Sequence, residues 1–319
     1  MIQFLVKRFI GLIFVLIGVT FITFILGYFA PGDPIRDMLG EHFNLVVYNQ
    51  LRHAYGLDLP WYQQYFNFLS HMFRFDFGFS YKYTNRAVMD ILKDGVPVSA
   101  ELGFWALILQ MLVGVPVGIF SALKANTWID TVNMGFILIL YSIPVFVLAV
   151  VMQVVIIWFD QKTGASWPVS NWGTPWAYDP ADLSYKVIPI LVFAAGGMAY
   201  IARLSRASML EVLKQDFVRT ARAKGLLERV VIYKHALRNA MIPLLTVFGL
   251  LLALLVSGAF FIENIFNIPG IGYETVQSIS DRDYPVIQAT VVLFAVAVVI
   301  GNMLSDILYS LVDPRIKAQ

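Results

Sequence analysis

The 319-residue chain contains no cysteine, and few of its residues carry a charge. Without cysteine it has no disulfide, no cysteine-ligated zinc and no iron–sulfur cluster. Only 14% of the residues are Asp, Glu, Lys or Arg, whereas 59% are hydrophobic. A soluble protein of this length needs more charged surface, because its exterior must face water. The formal net charge of +2 gives no general attraction to nucleic acid. The composition therefore indicates a membrane protein.

Six stretches without charged residues are candidates for membrane-spanning helices, each of which needs about 20 apolar residues. They are residues 9–32, 102–123, 131–159, 187–202, 239–262 and 284–305. The fourth is short, and we expect it to span with Lys186 and Arg203 extending their charges to the two interfaces. The first is longer than the apolar part of a signal peptide, which favours a retained helix. The sequence predicts an all-α polytopic membrane protein with six transmembrane helices.

Basic residues predict the orientation of these helices in the membrane. If the N-terminus lies inside, most of the 23 Lys and Arg residues fall in inside segments, as the positive-inside rule requires. Both termini are then expected in the cytoplasm. The predicted organisation is an N-terminal segment with the first helix (1–30), an outside segment (31–97), a five-helix core (98–310) that includes a cytoplasmic loop (203–240), and a cytoplasmic tail (311–319).

Two segments predicted outside are more than short connections. The stretch 163–178 is rich in tryptophan, proline and polar residues, which predicts a loop at the membrane interface rather than a span. Within 31–97, apolar residues recur at helical spacing, which predicts an amphipathic helix on a membrane surface or a neighbouring subunit. These are Trp61, Tyr65, Phe68, Leu69 and Met72. A docking surface for an external partner is the alternative interpretation of that helix.

The densest basic stretch, RTARAKGLLERVVIYKHALRNAMIP, covers residues 219–243. The apolar spacing before Gly225 predicts a helix, and Arg222 and Lys224 lie where a helix C-terminus favours cations. Gly225 is suited to the left-handed residue that ends such a helix. A second amphipathic segment follows and leads into the fifth span. The pattern predicts a helix–glycine–helix loop that projects from the membrane. The simpler interpretation is that these charges only determine topology.

This stretch resembles the EAA loop of the permease subunits of ATP-binding-cassette importers, in the form found in the dipeptide/oligopeptide family. Arg219 and Thr220 stand where the general pattern has an acidic residue and an alanine, and Arg238 replaces its final proline. Further segments resemble segments of the same family and follow one another in the same order as in that family. Their detail is most like that of the oligopeptide members. They are APGDP (30–34), FDFGFSYKY (75–83), GVPVSAELG (95–103), ENIFNIPGIG (263–272), RDYPVIQ (282–288) and DILYSLVDPRIK (306–317).

The resemblance implies a type I ATP-binding-cassette importer permease in the bacterial cytoplasmic membrane. It implies a second homologous permease, two cytoplasmic ATPase subunits that hold ATP and Mg²⁺, and an external peptide-binding protein. The chain itself lacks the G-x-x-x-x-G-K-[ST] pattern, so we expect it to hold no nucleotide and ATP hydrolysis to belong to a partner. As a transport subunit it is expected to bind no cofactor or metal and to catalyse no reaction. The residues expected to dock on an ATPase are Arg219, Ala221, Arg222, Lys224, Gly225, Leu226 and Glu228.

Polar residues inside or beside the spans are candidates for a pore or gate. They are Gln110, Gln153, Ser257, Asn264 and Asn302. Asn264, Asn267 and the following IPGIG turn suggest either an external gate element or a plain turn. Small residues, such as Gly114 and Gly118, are expected to allow close helix packing rather than to contact a substrate.

Two other functional classes have little support in the sequence. A secondary transporter coupled to protons needs ionisable groups near the bilayer midplane. Glu101, Glu263 and Asp306 lie instead at predicted span ends, where we expect water and headgroups to reach them. The four histidines are scattered outside the spans, which disfavours an intramembrane enzyme or metal site. The cargo is expected to be oligopeptides, with dipeptides, metal chelates or another small molecule as alternatives.

Overall fold

Two long helices, α5 (Val88–Leu123) and α8 (Pro180–Leu213), form the centre of the protein. The computed structural model describes residues 2–83, 85–245, 247, 248, 251 and 259–312. Where the two helices meet, a Cβ on Gly114 would lie 2.9 Å from the Met198 carbonyl oxygen. A Cβ on Gly118 would lie 2.2 Å from the carbonyl oxygen of Ala202. The glycines therefore bring the two backbones together, which confirms the predicted close packing.

The stretch predicted as one span over 131–159 is a broken helix. Its two parts are α6 (Trp128–Ser142) and α7 (Val145–Thr163). Pro144 has no N–H to donate and disfavours helical geometry at the preceding residue, and Ile143 has φ −82° and ψ 119°. The prediction of a continuous helix was wrong because this proline was counted only as an apolar residue.

Both parts of the broken helix pack along α8. Ile137 of α6 lies in a buried cluster with Ala199 and Ala202. Ala149 of α7 lies in another buried cluster that contains Ile190. Because these partners occupy successive parts of α8, α6 and α7 follow that helix one after the other as a single interrupted crossing.

A second helical layer consists of α1 (Ile2–Phe29) and the last helix, which begins at Tyr284 and ends at Val312. Within the described residues, five helical segments are long and apolar enough to span a membrane, and α6 is shorter. The five are Ile10–Phe29, Val88–Leu123, Val145–Thr163, Pro180–Leu213 and Tyr284–Leu304. Ten of the 24 residues of the predicted span 239–262 lie outside the described residues, so the total of six spans stays a prediction.

Three helices fill the segment between α1 and α5. They are α2 (Pro34–Leu39), α3 (Leu45–Ala54) and α4 (Trp61–Met72), and a 3₁₀ turn, Gly40–His42, follows α2. The side chains of Asp33 and Asn44 accept hydrogen bonds from backbone N–H groups at the starts of α2 and α3, as N-cap residues do. The segment is therefore mostly helical.

The amphipathic helix predicted from Trp61 to Met72 is confirmed as α4. Its apolar side covers helices of its own chain, because Met72 lies in a buried cluster with Leu16 of α1 and Val292 of the last helix. Phe68 and Leu69 pack against the same cluster. The surface of this helix that the sequence assigned to a membrane or to another subunit is therefore partly internal.

Helix α5 begins at Val88, so the predicted boundary at 97/98 falls inside a continuous helix. The early start has a tertiary cause. Val88 and Ile91 are buried against Ile271 and Val286, which belong to distant parts of the chain. Charged residues of the same turns, such as Lys93, stay exposed on the other side. Burial of one face thus extends the helix beyond its uncharged stretch.

We expect Gly118→Ala to destabilise the protein by about 2 kcal/mol, because the added methyl group overpacks the α5–α8 contact. The measurement is thermal unfolding of the detergent-solubilised chain, in which the midpoint Tm should fall by several degrees. Gly135→Ala is the matched control, since Gly135 is also helical and a Cβ there meets nothing within 4 Å. An equal Tm for the two variants would contradict the close contact at Gly118.

Candidate functional site

The predicted cytoplasmic loop 203–240 begins inside α8, and we call its remainder, residues 214–240, the basic loop. It folds as two helical segments around a glycine. After α8 ends at Leu213, α9 covers Asp216–Ala223. Gly225 has φ +74°, a left-handed conformation, and its N–H donates to the Arg222 carbonyl oxygen at 2.9 Å. The prediction that Gly225 ends the first helix in this conformation is confirmed.

The chain then returns toward the membrane as a continuous helical run. It begins as α10 (Glu228–Val230), passes through a π-helical turn (Val231–Ala236) and continues as α11 (Leu237–Ala240). π-Helical turns are frequently found at functional sites. This helical run forms the second half of the loop, after α9 and the glycine turn.

The inner side of the loop is a buried apolar cluster. Val218 and Ala221 of α9 contact side chains from both long helices and from the returning run, and Ala221 is buried. The other buried members are Ala122, Met209, Val231, Ala236 and Ala240. Ala221, which the sequence placed among the docking residues, therefore faces the interior of the loop. The loop is joined by packing to the ends of α5 and α8.

An ion pair braces the same end of the helices. Arg206 of α8 donates through Nε and Nη2 to the two carboxylate oxygens of Asp130 in α6, each at 2.7 Å. The Asn126 backbone N–H also donates to Asp130, at 3.1 Å. This bidentate geometry fixes the start of α6 against α8, because the planar guanidinium matches a carboxylate in two places.

A second bidentate pair crosses the glycine turn. Arg222 donates from Nε and Nη2 to the Glu228 carboxylate, at 3.1 and 2.7 Å. These hydrogen bonds hold the pKa of Glu228 below its usual value and raise the pKa of Arg222. Any support that the pair gives to the turn is therefore present at neutral pH and is lost as the pH falls through the lowered pKa of Glu228. Because both groups are exposed, this support is small.

The tip of the loop exposes apolar side chains between cations. Leu227 is 76% exposed and Leu226 is 40% exposed. Arg219 and Lys224 are also exposed, and both lie close to these leucines in the sequence. Leu227 was missing from the residues expected to dock, although the pair of apolar residues after the glycine of a charged loop, Leu226 and Leu227, was a signal for both. We call the exposed residues 219, 222 and 224–228 the tip surface.

The polar residues expected in a pore have different surroundings. Gln153 Nε2 donates to the backbone oxygens of Val169 and Ile265, at 3.0 and 2.7 Å, and Asn264 Nδ2 donates to Phe260 O at 2.9 Å. The amide hydrogens of these two side chains thus bind backbone. Asn302 is exposed on the last helix, and Gln110 is buried between α5 and α8.

Ser257 lies outside the described residues.

Glu101 and Lys186 form a buried ion pair at the end of the helices opposite the basic loop, here called the distal end. Lys186 Nζ lies 2.9 Å from Glu101 Oε1, and both side chains are almost fully buried. Glu101 also accepts hydrogen bonds from Trp172 Nε1 and the Trp176 N–H, each at 2.8 Å. The prediction that Lys186 extends to an interface, and that water reaches Glu101, was wrong.

The same pair anchors the tryptophan-rich loop 164–179. Lys186 Nζ donates to the backbone oxygens of Thr174 and Ala177, at 2.8 and 2.7 Å. Trp172 is buried in the main apolar cluster. The predicted interfacial loop is therefore folded inward on α5 and α8, because the ion pair and its donors satisfy the buried polar groups.

A second buried carboxylate, Glu263, organises the segment after the fifth predicted span. It accepts from Ser99 Oγ at 2.8 Å and from the backbone N–H groups of Ala259 and Tyr273, each at 2.9 Å. A Cβ on Gly270 would lie 2.5 Å from Glu263 Oε2. Access of water to Glu263 was also predicted wrongly, because the carboxylate is enclosed by its own donors.

Two helices, α12 (Phe260–Ile265) and α13 (Ile271–Ser280), flank the turn formed by residues 266–270. The turn and the tryptophan-rich loop are joined, since the Asn171 N–H donates to Phe266 O at 2.8 Å. Gln153 links the same two segments, because it donates to a backbone oxygen in each of them. We call residues 164–179 and 259–280, joined by these contacts, the distal assembly.

Family models match nearly the whole chain. The model described as "Binding-protein-dependent transport system inner membrane component" matches residues 114–318. The N-terminal model of the same kind, "Binding-prot-dependent transport system membrane comp, N-term", matches residues 1–103.

The chain belongs to this family.

Relatives agree along their full length. The "Dipeptide transport system permease protein DppB" of Bacillus subtilis (strain 168) is 40% identical over 320 residues, which cover 99% of this chain and 98% of the relative. The "Oligopeptide transport system permease protein AppB" of the same organism is 36% identical over 322 residues, which cover 99% and 100%.

A solved structure has a similar fold. It is described as "Inward facing conformations of the MetNI methionine ABC transporter: CY5 native crystal form", and one of its chains is 19% identical with a TM-score of 0.54. The match covers 70% of this chain and 97% of that chain. The fold of this family member is therefore that of an ATP-binding-cassette importer permease.

Family membership gives the general role of the chain. It is a multi-pass inner-membrane component of a binding-protein-dependent transport system. It is a transport subunit and not an enzyme, and ATP hydrolysis belongs to a separate subunit of such importers. A partner permease, ATPases and a substrate-binding protein are, in general terms, the components with which it works.

We expect Lys186→Met to lower the free energy of unfolding by about 4 kcal/mol, because it leaves the Glu101 carboxylate buried without its cation. The double variant Glu101→Gln/Lys186→Met should regain part of the loss, since glutamine keeps an acceptor for Trp172 without a charge. Thermal unfolding followed by tryptophan fluorescence measures both effects.

Lys93→Met is the control for this experiment. Lys93 lies on α5, as Glu101 does, and its pair with Asp90 is exposed, so we expect its removal to cost under about 1 kcal/mol. If Lys93→Met and Lys186→Met were equally stable, the pair at Glu101 would not be the buried anchor of the distal end.

Proposed function

We propose that this chain is one of two membrane-spanning subunits of an ATP-driven importer that carries oligopeptides into the bacterial cell by alternating access. In this proposal the tip surface docks on an ATPase subunit. The observation that carries it is the construction of the basic loop: an exposed apolar tip above a buried cluster shared with α5 and α8. A force applied at the tip is delivered directly to the two central helices.

The tip surface suits a protein partner with an apolar groove and an acidic rim. Leu226 and Leu227 supply exposed apolar area, whose burial would favour binding. The surrounding cations would orient the approach to acidic groups. The Arg222–Glu228 pair leaves Arg219 and Lys224 as the cations of the tip surface most available to such a partner. Arg219 also has a loose exposed contact to Asp216 at 3.4 Å.

The proposed assembly contains this chain, a second homologous permease, two cytoplasmic ATPase subunits and an external peptide-binding protein. ATP and Mg²⁺ are held by the ATPase subunits, and this chain binds neither cofactor nor metal. We place both termini and the basic loop in the cytoplasm, because the excess of Lys and Arg marks that side. The distal end, with the segment 31–87, then faces outward toward the binding protein.

The names of the relatives support a peptide cargo. They include dipeptide permeases of Bacillus subtilis and Lactococcus lactis and an oligopeptide permease of Bacillus subtilis. The oligopeptide assignment rests on the sequence itself, in particular on YKY (81–83) and PVSAELG (97–103). Dipeptides are the first alternative, and metal chelates or another small molecule are the second.

The distal assembly is the candidate for an outer gate. Its two parts, 164–179 and 259–280, come from opposite sides of α8 in sequence and are held together by the Asn171–Phe266 contact and by Gln153. Glu101 and Glu263 anchor these parts to α5 and α8. In this proposal the assembly moves as one body when the central helices tilt.

We expect Leu227→Asp to reduce the recovery of ATPase subunits with the tagged chain at least tenfold, because a carboxylate replaces the most exposed apolar group of the tip and repels an acidic rim. The chain is purified gently from native membranes, and the ATPase-to-permease ratio is measured by quantitative mass spectrometry. ATP-dependent peptide uptake should fall in parallel.

Leu45→Asp is the control, since Leu45 is 63% exposed on α3, away from the basic loop. It should leave the ATPase ratio unchanged. A wild-type chain recovered without ATPases, or a Leu227→Asp chain that retains them fully, would argue against the tip surface as the docking site.

A further inference from the structure

A cavity of about 220 Å³ lies between α5, α7 and α8, within their membrane-spanning segments. Its walls include Leu107, Gln110, Val145, Phe193, Gly196 and Gly197. No charged residue lines it within the described part of the chain. Complete small-molecule sites usually measure about 300–1,000 Å³. This cavity is therefore suited to one residue of a longer ligand.

Gln110 is the polar group of this cavity. Its side chain is only 7% exposed, and its Oε1 atom has no hydrogen-bond partner among the residues that the structure describes. A buried amide oxygen without a partner is unfavourable, so such a group in a native protein calls for a ligand or another functional reason. The carboxamide occupies space that Gly197 leaves free, because a Cβ on Gly197 would lie 2.2 Å from Gln110 Cδ.

The cavity borders the interruption between α6 and α7. Val145, the first residue of α7, lines it directly after the non-helical Ile143 and Pro144. Irregular backbone at membrane depth is tolerated where it is buried in protein or lines a polar cavity. Interrupted helices near the bilayer midplane recur at the substrate sites of secondary transporters. The wall at Gly196 is open, since a Cβ there meets no atom within 4 Å.

We propose that this cavity is a substrate subsite inside the membrane, in which Gln110 pairs with a backbone amide of the transported peptide. A carboxamide presents one donor edge and one acceptor, which match the C=O and N–H of a peptide group. Leu107, Val145 and Phe193 then surround one apolar side chain of the peptide. The inference deepens the proposed function and rests on its peptide cargo.

The kinetic test uses the complete transporter in proteoliposomes with its binding protein. Gln110→Leu should lower kcat/KM for uptake about tenfold for every tripeptide tried, because one amide hydrogen bond is lost. Gly196→Val, which fills the cavity, should instead affect peptides according to the size of their side chains. It should reduce uptake of Ala-Phe-Ala about tenfold relative to Ala-Gly-Ala.

Gly135→Val is the matched control, because a Cβ on Gly135 also meets no atom within 4 Å and the residue lies on α6 away from the cavity lining. It should preserve the wild-type ratio of the two peptides. Recovery of the ATPase subunits with each variant shows that the complex is assembled.

A second measurement is independent of activity and uses the absence of cysteine from the chain. Gly196→Cys introduces a unique thiol in this subunit, which a small methanethiosulfonate reagent should modify. A tripeptide present during ATP turnover should slow that modification at least fivefold, whereas Gly135→Cys should show no protection. This test decides the matter if Gln110→Leu fails to assemble.

The results separate the two proposals. If wild-type liposomes import peptides while Gln110→Leu and Gly196→Val keep the wild-type kinetics, the subsite is overturned and the importer remains. A Gly196→Cys thiol that is unreactive, or reactive without protection by peptide, also overturns the subsite. If the wild type imports no peptide, the proposed function and the subsite fall together.

Discussion

The close contact between α5 and α8 is the constraint on which the rest of the structure depends. Gly114 and Gly118 allow the backbones to meet, and a different set of contacts holds each end of this helix pair. At the distal end the Glu101–Lys186 ion pair joins the same two helices. At the basic end Ala122 and Met209 join them to the loop that turns at Gly225. A tilt of one helix therefore displaces both ends of the molecule.

The two buried carboxylates illustrate how charge is kept inside a membrane protein. Glu101 has a cation and two N–H donors, whereas Glu263 has no cation among the described residues and is held by hydrogen-bond donors. In each case part of the donors lies outside the helices: the Trp172 and Trp176 N–H groups for Glu101, and the Ala259 N–H for Glu263. Satisfying the charge therefore also folds these loops onto the helices. An unsatisfied carboxylate at the same depth would be far more costly, which makes these loops part of the helix bundle rather than attachments to it.

Much of the architecture could be predicted from local patterns. The uncharged stretches marked the spanning helices, the spacing from Trp61 to Met72 marked α4, and Gly225 marked the end of a helix. The break at Pro144 was also open to prediction, because a proline in the middle of a long apolar run removes a donor and distorts the preceding residue. The start of α5 at Val88 was not, since it depends on burial against Ile271 and Val286.

The sequence by itself determined that this is an all-α membrane protein, which stretches are apolar enough to span, and where its exposed basic loop turns. These properties follow from composition and from helical periodicity, which are local. Only the tertiary structure decided that Lys186 meets Glu101 across 85 positions, that Ala221 points inward, and that Gln110 is enclosed beside Gly197. Burial and pairing depend on which distant segments meet, and that information is absent from any single stretch of the chain.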